Sequence, residues 1–528
     1  MKKFSGLSLA FFISFLVPLL PFLIHGAPFI SDCWMHMKIA FDAISSGTLP
    51  LKYNDPSLTY NAQWPLINAL FTFIILICGF NVLYVSQFVP LLAGLSAIPL
   101  YLVVKGISKD VKVSIFATLL YSLEGFHVSF ASSVMKETAT LYILMTFIFV
   151  YFWFFSGRTN WKHLMVLLFL SCGLLLGHHY LSLFTLVFVC FAACLSAWSS
   201  LQPREHDKTL SWLVLSALIF IFVFALRAIF LWEGFITIYD IAYIFVPLMF
   251  SSFIITLWFS RCCTRKSRVS RIPKFALFLV LIAFILGYFA VSGRVYFVIS
   301  PPSRSALLFI PGYFLIGLLS VLGFSKASGC NFEMIYVRTY FSSFVCVILS
   351  SFLWGFDEIG IWLIVKASHH FAPAMTLAST ILLVNVSKRI RKVSCLLLIL
   401  GTIVSFGAGI RCVIFKDPEL GGIAAYYGGE IFEAESLSRF MDGSTRIYGG
   451  AQSRTLLRFY NVSNVSSLPL LSFNPGFYVV LRSNWEGGFF VGGGYQWVSG
   501  ELVLNELNVD NCGIVFSGNY VQVFWKFQ

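Results

Sequence analysis

The sequence predicts a polytopic α-helical membrane protein of about thirteen transmembrane helices, followed by a small extracytoplasmic α+β domain. Three observations predict it. First, 58% of the 528 residues are hydrophobic, 58 of them phenylalanine, and only 11% are charged, a composition that excludes a water-soluble domain. Second, apolar runs recur along residues 1–410 at about the length, roughly 20 helical residues, that crosses a hydrocarbon core. Third, the texture changes near Arg411 to glycine-rich, alternating polar and apolar sequence, so that 1–410 reads as the membrane domain and 411–528 as the outer domain.

Spans are expected near 7–27, 83–104, 113–130, 138–156, 163–179, 181–199, 210–230, 241–260, 275–292, 306–323, 339–354, 371–387 and 393–410. The first is read as a retained anchor, because Pro18 and Pro21 interrupt it and no small-residue cleavage site follows. Placing the N-terminus in the cytoplasm puts the basic loops "RCCTRKSRVSRIPK" (Arg261 to Lys274) and "KRIRK" (Lys388 to Lys392) on the same side, which is the positive-inside pattern. The net charge of +13 thus belongs to membrane topology and not to nucleic-acid binding. It also leaves 28–63 as a first outer loop with interfacial helices. The run "WPLINALFTFIILICGF", residues 64–80, is long enough to cross, but crossing would turn every later basic loop outward, so an interfacial helix is expected there. In the tail, "GFYVVLRSN" and "NYVQVFWKF" alternate as strands do, and "FEAESLSRFMDG" reads as an amphipathic helix.

This orientation gathers carboxylates on the outer face. In "FISDCWMHMKIAFDAISSGTLP", Asp32 and His36 stand four apart and would share one helical face. A carboxylate and a histidine at the water boundary suit a general base or a divalent-metal ligand; an ordinary amphipathic helix with solvated charges is the plainer alternative. Asp42 reads as a surface charge. In "EGFHVSFASSVMKETATLY", Lys136 and Glu137 open an apolar helix, where a glutamate is also favoured simply by the helix dipole. "GHHYLS" places His178, His179 and Tyr180 at a turn between two apolar runs, either lining a cavity or capping the turn. Arg294, Arg304, Lys366, His369 and His370 supply outer-face cations that could hold a lipid phosphate or merely snorkel to the interface. The twelve cysteines show no metal-binding spacing, and no glycine-rich nucleotide loop is present, so no cofactor is implied by motif.

With these residues in place, the chain resembles the GT-C superfamily of membrane glycosyltransferases. The resemblance rests on "SDCWMHMKIAFDAISSGTLP", on "YNDPSLTYNAQWPLINALFTFIILICGFNVLYVSQFVPLLAGLSAIPLYLVVK" and on "VMKETATLYILMTF". "GHHYLSLFTLVF", with "IYGGAQSRTLLRFY" and "NCGIVFSGNYVQVFW" in the tail, looks like archaeal dolichyl-phosphate-mannose-protein mannosyltransferase-like proteins. The resemblance implies transfer of a sugar from a polyprenyl-phosphate-linked donor to a protein, lipid or glycan acceptor on the extracytoplasmic side, with inversion. It implies Asp32 as the general base, Glu137 as the second acidic residue, Lys105 as the basic end of the second span, and the cations named above as holders of the leaving phosphate. The first loop departs from the oligosaccharyltransferase pattern in having no D-x-D, so transfer of a whole glycan to asparagine is not expected. Two other classes stay open: a polyprenyl-lipid or glycan transporter, and a non-catalytic scaffold of the same shape.

Overall fold

The computed structural model describes residues 2–30, 32–156, 160–200, 309–326, 332–353, 370–414, 426, 428–441, 446–460, 462, 465–467, 476–482, 489–491, 496–498, 513–519 and 521–526. Up to residue 414 these are almost entirely helical. Helix α1 covers Lys2–His25, and the polar stretch after it forms α2 (Asp32–Ser46), α3 (Pro56–Ala62) and α4 (Pro65–Cys78). Next come α5 (Val82–Ser86), α6 (Phe88–Leu95), α7 (Ala97–Ser108), α8 (Val111–Ser122), α9 (Gly125–Ala131), α10 (Lys136–Phe155), α11 (Trp161–Gly177) and α12 (His179–Ser200). The later described helices are α13 (Phe309–Lys326), α14 (Phe332–Leu353), α15 (Phe371–Asn385) and α16 (Lys388–Val413).

Among the described residues, three stretches are long and apolar enough to cross a membrane: Gly6–His25, Val82–Ser108 and Lys388–Val413. A fourth is formed if α8 and α9 are one span bent by 64°. The expected spans at 210–230, 241–260 and 275–292 lie outside the described residues. Val82–Ser108 is interrupted twice, at Gln87 and Ser96. Each interruption follows the residue four positions before a proline, Ser86 before Pro90 and Leu95 before Pro99, where the imino nitrogen cannot close the helical hydrogen bond.

Glycines bring the helices close, as packing in lipid requires. A Cβ added to Gly125 would run into the Ser405 carbonyl of α16, and one on Gly409 would stand 2.7 Å from the Gly125 carbonyl. Gly125→Ala is therefore expected to destabilise the protein by about 1–3 kcal/mol, read as a lowered melting temperature in detergent; an unchanged melting temperature would mean that α9 and α16 are not packed this way.

Beyond α16, α17 (Gly428–Ser438) precedes a mixed sheet made of β1 (Ile447–Gly449), β2 (Val465–Ser467), β3 (Gly476–Leu481), β6 (Gly513–Ser517) and β7 (Val521–Lys526), in the order β2-β1-β3-β7-β6. Helix α18 (Ala451–Phe459) joins β1 to its parallel neighbour β2, while β4 (Phe489–Val491) and β5 (Gln496–Val498) form a separate antiparallel pair. At about 118 residues the tail is long enough for a core of its own. In the structure its apolar side is continuous with the surface helices: one cluster joins Trp34, Met37, Ile67 and Phe71 to Tyr426, Leu457, Val479 and Val521. Trp34 explains the merger, since its ring lies 5.7 Å from that of Tyr426 and 5.1 Å from that of Phe459. An ion pair between Arg458 and Asp55 closes the same contact. His25 Nε2, at the end of α1, donates to the Ile414 carbonyl at 2.7 Å, so the tail leaves the bundle at the end where the loop of α2 to α4 begins.

Candidate active site at the paired starts of two helices

Two short segments meet at this end of the bundle. Phe29, just before α2, pairs in parallel with Ser133, just before α10, and the Phe29 carbonyl accepts a hydrogen bond from the Val134 amide at 3.1 Å. Three residues beyond each partner a helix starts, α2 at Asp32 and α10 at Lys136. The parallel pairing therefore sets the two helix starts side by side, and Asp32 and Lys136 interact electrostatically. Asp32 suits its position, because a carboxylate in a first helical turn faces the positive end of the helix dipole. Lys136 does not. It places a cation at that positive end and is only 3% exposed, unfavourable both for the dipole and for desolvation.

The lysine is held by neighbours on α3. Its Nζ donates to Asn61 Oδ1 at 3.0 Å and sits 3.8 Å from the centre of the Tyr60 ring, a cation–π contact. Asn61 is fixed in turn, its Nδ2 donating to Met35 Sδ and its carbonyl accepting from Asn68 Nδ2 at 3.1 Å. Asn68 Oδ1 can only accept, so His36 Nδ1, 2.8 Å away, carries the proton and leaves Nε2 unprotonated. His36 thus braces α2 against α4 from a fully buried position. It does not share an open face with Asp32, as the four-residue spacing had suggested, because α4 covers it.

Burial, and secondarily the Lys136 ammonium, push the His36 pKa down from 6.5 to about 3. The unfolded chain then takes up a proton near pH 6.5 that the folded chain refuses until about pH 3. The stability from a neutral His36 is complete above pH 6.5 and lost as the pH falls below it, with a limiting slope of about 1.4 kcal/mol per pH unit. The melting temperature in detergent is expected to fall between pH 7 and pH 4, and His36→Asn to flatten that fall. Parallel curves for the two proteins would contradict this account of His36.

Glu137 is directed to the α11–α12 turn, where its Oε1 lies 3.1 Å from His178 Nε2, both side chains buried. The His178 ring is 5.8 Å from that of Trp64. Tyr180 and His370 meet elsewhere, deeper in the main aromatic core: their rings are 5.7 Å apart, His370 stacks on Phe184 at 3.5 Å, and its Nδ1 is 3.4 Å from the Tyr340 hydroxyl. The side chain of His179 and the whole of Arg294, Arg304, Lys366 and His369 lie outside the described residues. Of the expected site residues, then, Asp32, His36, Lys136, Glu137 and His178 are brought together, and His370 is placed with Tyr180. Asp42 pairs with Lys38 at 2.5 Å and accepts from the Tyr53 hydroxyl at 3.1 Å. Lys105 lies in the last turn of α7, its ammonium 6.0 Å from the Tyr101 ring. Among the described residues no group of three or more His, Cys, Asp or Glu could hold a metal ion.

Tyr60, Asn61 and Asn68 were not anticipated from sequence. The only signal was a pair of asparagines seven apart flanking Trp64-Pro65, and uncharged amides do not stand out among apolar runs. A second buried carboxylate lies at the α8–α9 bend. Glu124, 3% exposed, accepts from the amides of Phe126 and His127 at 3.2 and 2.8 Å and from the Ser405 hydroxyl at 3.1 Å. It borders a small cavity that Thr376, Ser379 and Thr402 also line.

No protein-family model matches the sequence. No curated protein matches it either. Among solved structures, the chain is similar to the crystal structure of ArnT from Cupriavidus metallidurans in the apo state, at 10% identity over 99% of this chain and 98% of that one, with a TM-score of 0.41. It is also similar to the structure of ArnT from the same organism bound to undecaprenyl phosphate, at 12% identity over 98% and 97%, with a TM-score of 0.38. Superpositions this loose give a likeness in overall shape alone.

Proposed function

We propose that the protein is a membrane glycosyltransferase that moves a sugar from a polyprenyl-phosphate-linked donor to a hydroxyl of a protein, lipid or glycan acceptor on the extracytoplasmic side. The observation that carries the reading is the juxtaposition of Asp32 and Lys136: a partly exposed carboxylate within electrostatic reach of a buried ammonium, at the end of the bundle where the surface helices begin. A cation retained against both its helix dipole and its desolvation breaks local rules in the way functional sites do. The resemblance of the first loop and of "VMKETATLYILMTF" to the GT-C superfamily points to the same two segments.

The chemistry follows from the two charges. Asp32 takes the proton of the acceptor hydroxyl as its oxygen bonds to the anomeric carbon, while the bond from that carbon to the phosphate oxygen breaks with the electron pair leaving on phosphate. Lys136 stabilises the charge on the departing lipid phosphate, and Tyr60 and Asn61 hold the ammonium in place before the substrate arrives. Glu137, paired with His178, supports the start of α10. Arg294, Arg304, Lys366 and His369 are further candidates for the phosphate, and His370 is one only if the aromatic packing around it opens.

One observation favours a second reading. A span bent by 64° with buried Glu124 at the bend is the kind of broken helix on which transporters build midplane sites. A single experiment separates the two. The purified chain is placed in liposomes with polyprenyl-phosphate hexose labelled in the sugar, together with an acceptor extract. Covalent transfer of label to the extract is expected, whereas movement of intact labelled lipid across the bilayer without transfer would replace the enzyme reading with the transporter one.

A further inference from the structure

Ile30 has a backbone φ of 81°, a left-handed conformation that glycine adopts freely and a β-branched residue almost never does. The other described non-glycine residue with positive φ, Lys109, sits in the C-terminal cap of α7, a common place for it. Ile30 caps nothing. It lies between the Phe29 backbone and the start of α2, two residues before Asp32.

Two anchors account for the conformation. On one side, Phe29 is fixed by its parallel pairing with Ser133 and by the hydrogen bond from the Val134 amide. On the other, the Ile30 side chain packs against an apolar cluster of Val17, Phe29, Val128, Cys412 and Val413, contributed in part by α1, α9 and α16. Ile30 is thus held through the pairing of its neighbour Phe29 and through its own side chain, immediately ahead of the helix that begins at Asp32. Strained backbone of this kind persists where the surrounding structure over-determines it, and it concentrates at functional sites.

We propose that Ile30 is a positioning residue: its anchored left-handed turn sets the Asp32 carboxylate against Lys136. The inference rests on the glycosyl-transfer reading and adds to it a residue that touches no substrate. A positioning residue acts through Asp32, so its loss lowers turnover while leaving donor binding in place.

The test compares wild type with Ile30→Gly, Ile30→Val, Asp32→Asn and the double variant Ile30→Gly/Asp32→Asn, using labelled polyprenyl-phosphate mannose and glucose as donors. Glycine permits the turn but enforces nothing. Ile30→Gly is expected to lower kcat about 10- to 100-fold with the donor KM within about twofold of wild type, a split that uniform loss of binding does not produce. Ile30→Val, which keeps both the β-branch and the packing, is expected to stay within a few-fold of wild type, and the double variant to be no slower than Asp32→Asn alone. Should Ile30→Gly fail to fold, Ile30→Asn carries the same comparison, since asparagine tolerates left-handed φ. A kcat for Ile30→Gly equal to wild type while Asp32→Asn is inactive overturns the positioning role alone. Full transfer by Asp32→Asn removes Asp32 from the chemistry and the positioning role with it, whereas absence of covalent transfer by wild type overturns the transfer reading itself.

Discussion

Replacing Asp32 with asparagine is expected to lower sugar transfer by about 10²- to 10⁴-fold, the usual contribution of a positioned general base. The fold should survive the change. Asparagine matches aspartate in shape, is well tolerated at a helix start, and replaces a side chain that is partly exposed at the start of α2. The lost quantity is the capacity to take a proton from the acceptor, so the deficit should appear in kcat with donor binding retained. Steady-state transfer of label, with the melting temperature as a control for folding, reads both. Transfer within twofold of wild type by a folded Asp32→Asn protein would remove Asp32 from the chemistry.

Lys136→Gln is expected to reduce transfer about 10²- to 10³-fold, the range seen when one preorganised donor to a developing negative charge is removed. Its effect on stability should run the other way. The wild-type ammonium is buried at the positive end of the α10 dipole, and glutamine can still donate to Asn61 Oδ1 without carrying charge into that position. The melting temperature of Lys136→Gln is therefore expected to equal or exceed that of wild type while transfer collapses. A side chain kept for structure would show the opposite, a lowered melting temperature with transfer little changed.

The broad class of the protein can be read from its composition, because burying so many phenylalanines with so few charges has no soluble solution. The helix starts at Asp32 and Lys136 are also legible, each marking where a polar stretch meets an apolar run. What the sequence does not display is that these starts are neighbours. That depends on one parallel pairing, Phe29 with Ser133, between segments about a hundred residues apart, and no local pattern encodes it. Periodicity also misled at His36. Four-residue spacing put it on the face of Asp32, but the choice between an open face and a buried one is made by α4 and Asn68. His370 shows the same limit: it follows His369 and stands four residues after Lys366 in sequence, yet it stacks on Phe184. In the tail, the strands are visible as alternation, whereas the core they share with α2 depends on Trp34, which reads in sequence as one more interfacial aromatic.

In the proposed reaction Asp32 and Lys136 act as one unit in transfer from a polyprenyl-phosphate donor. The most direct measurement follows release of labelled sugar to acceptor by wild type, Asp32→Asn, Lys136→Gln and the double variant under identical conditions. Residues that act as a unit are strongly non-additive. Transfer by wild type is expected, with the double variant within about tenfold of the slower single variant. No covalent transfer by wild type, or a loss in the double variant equal to the product of the two single losses, would contradict it.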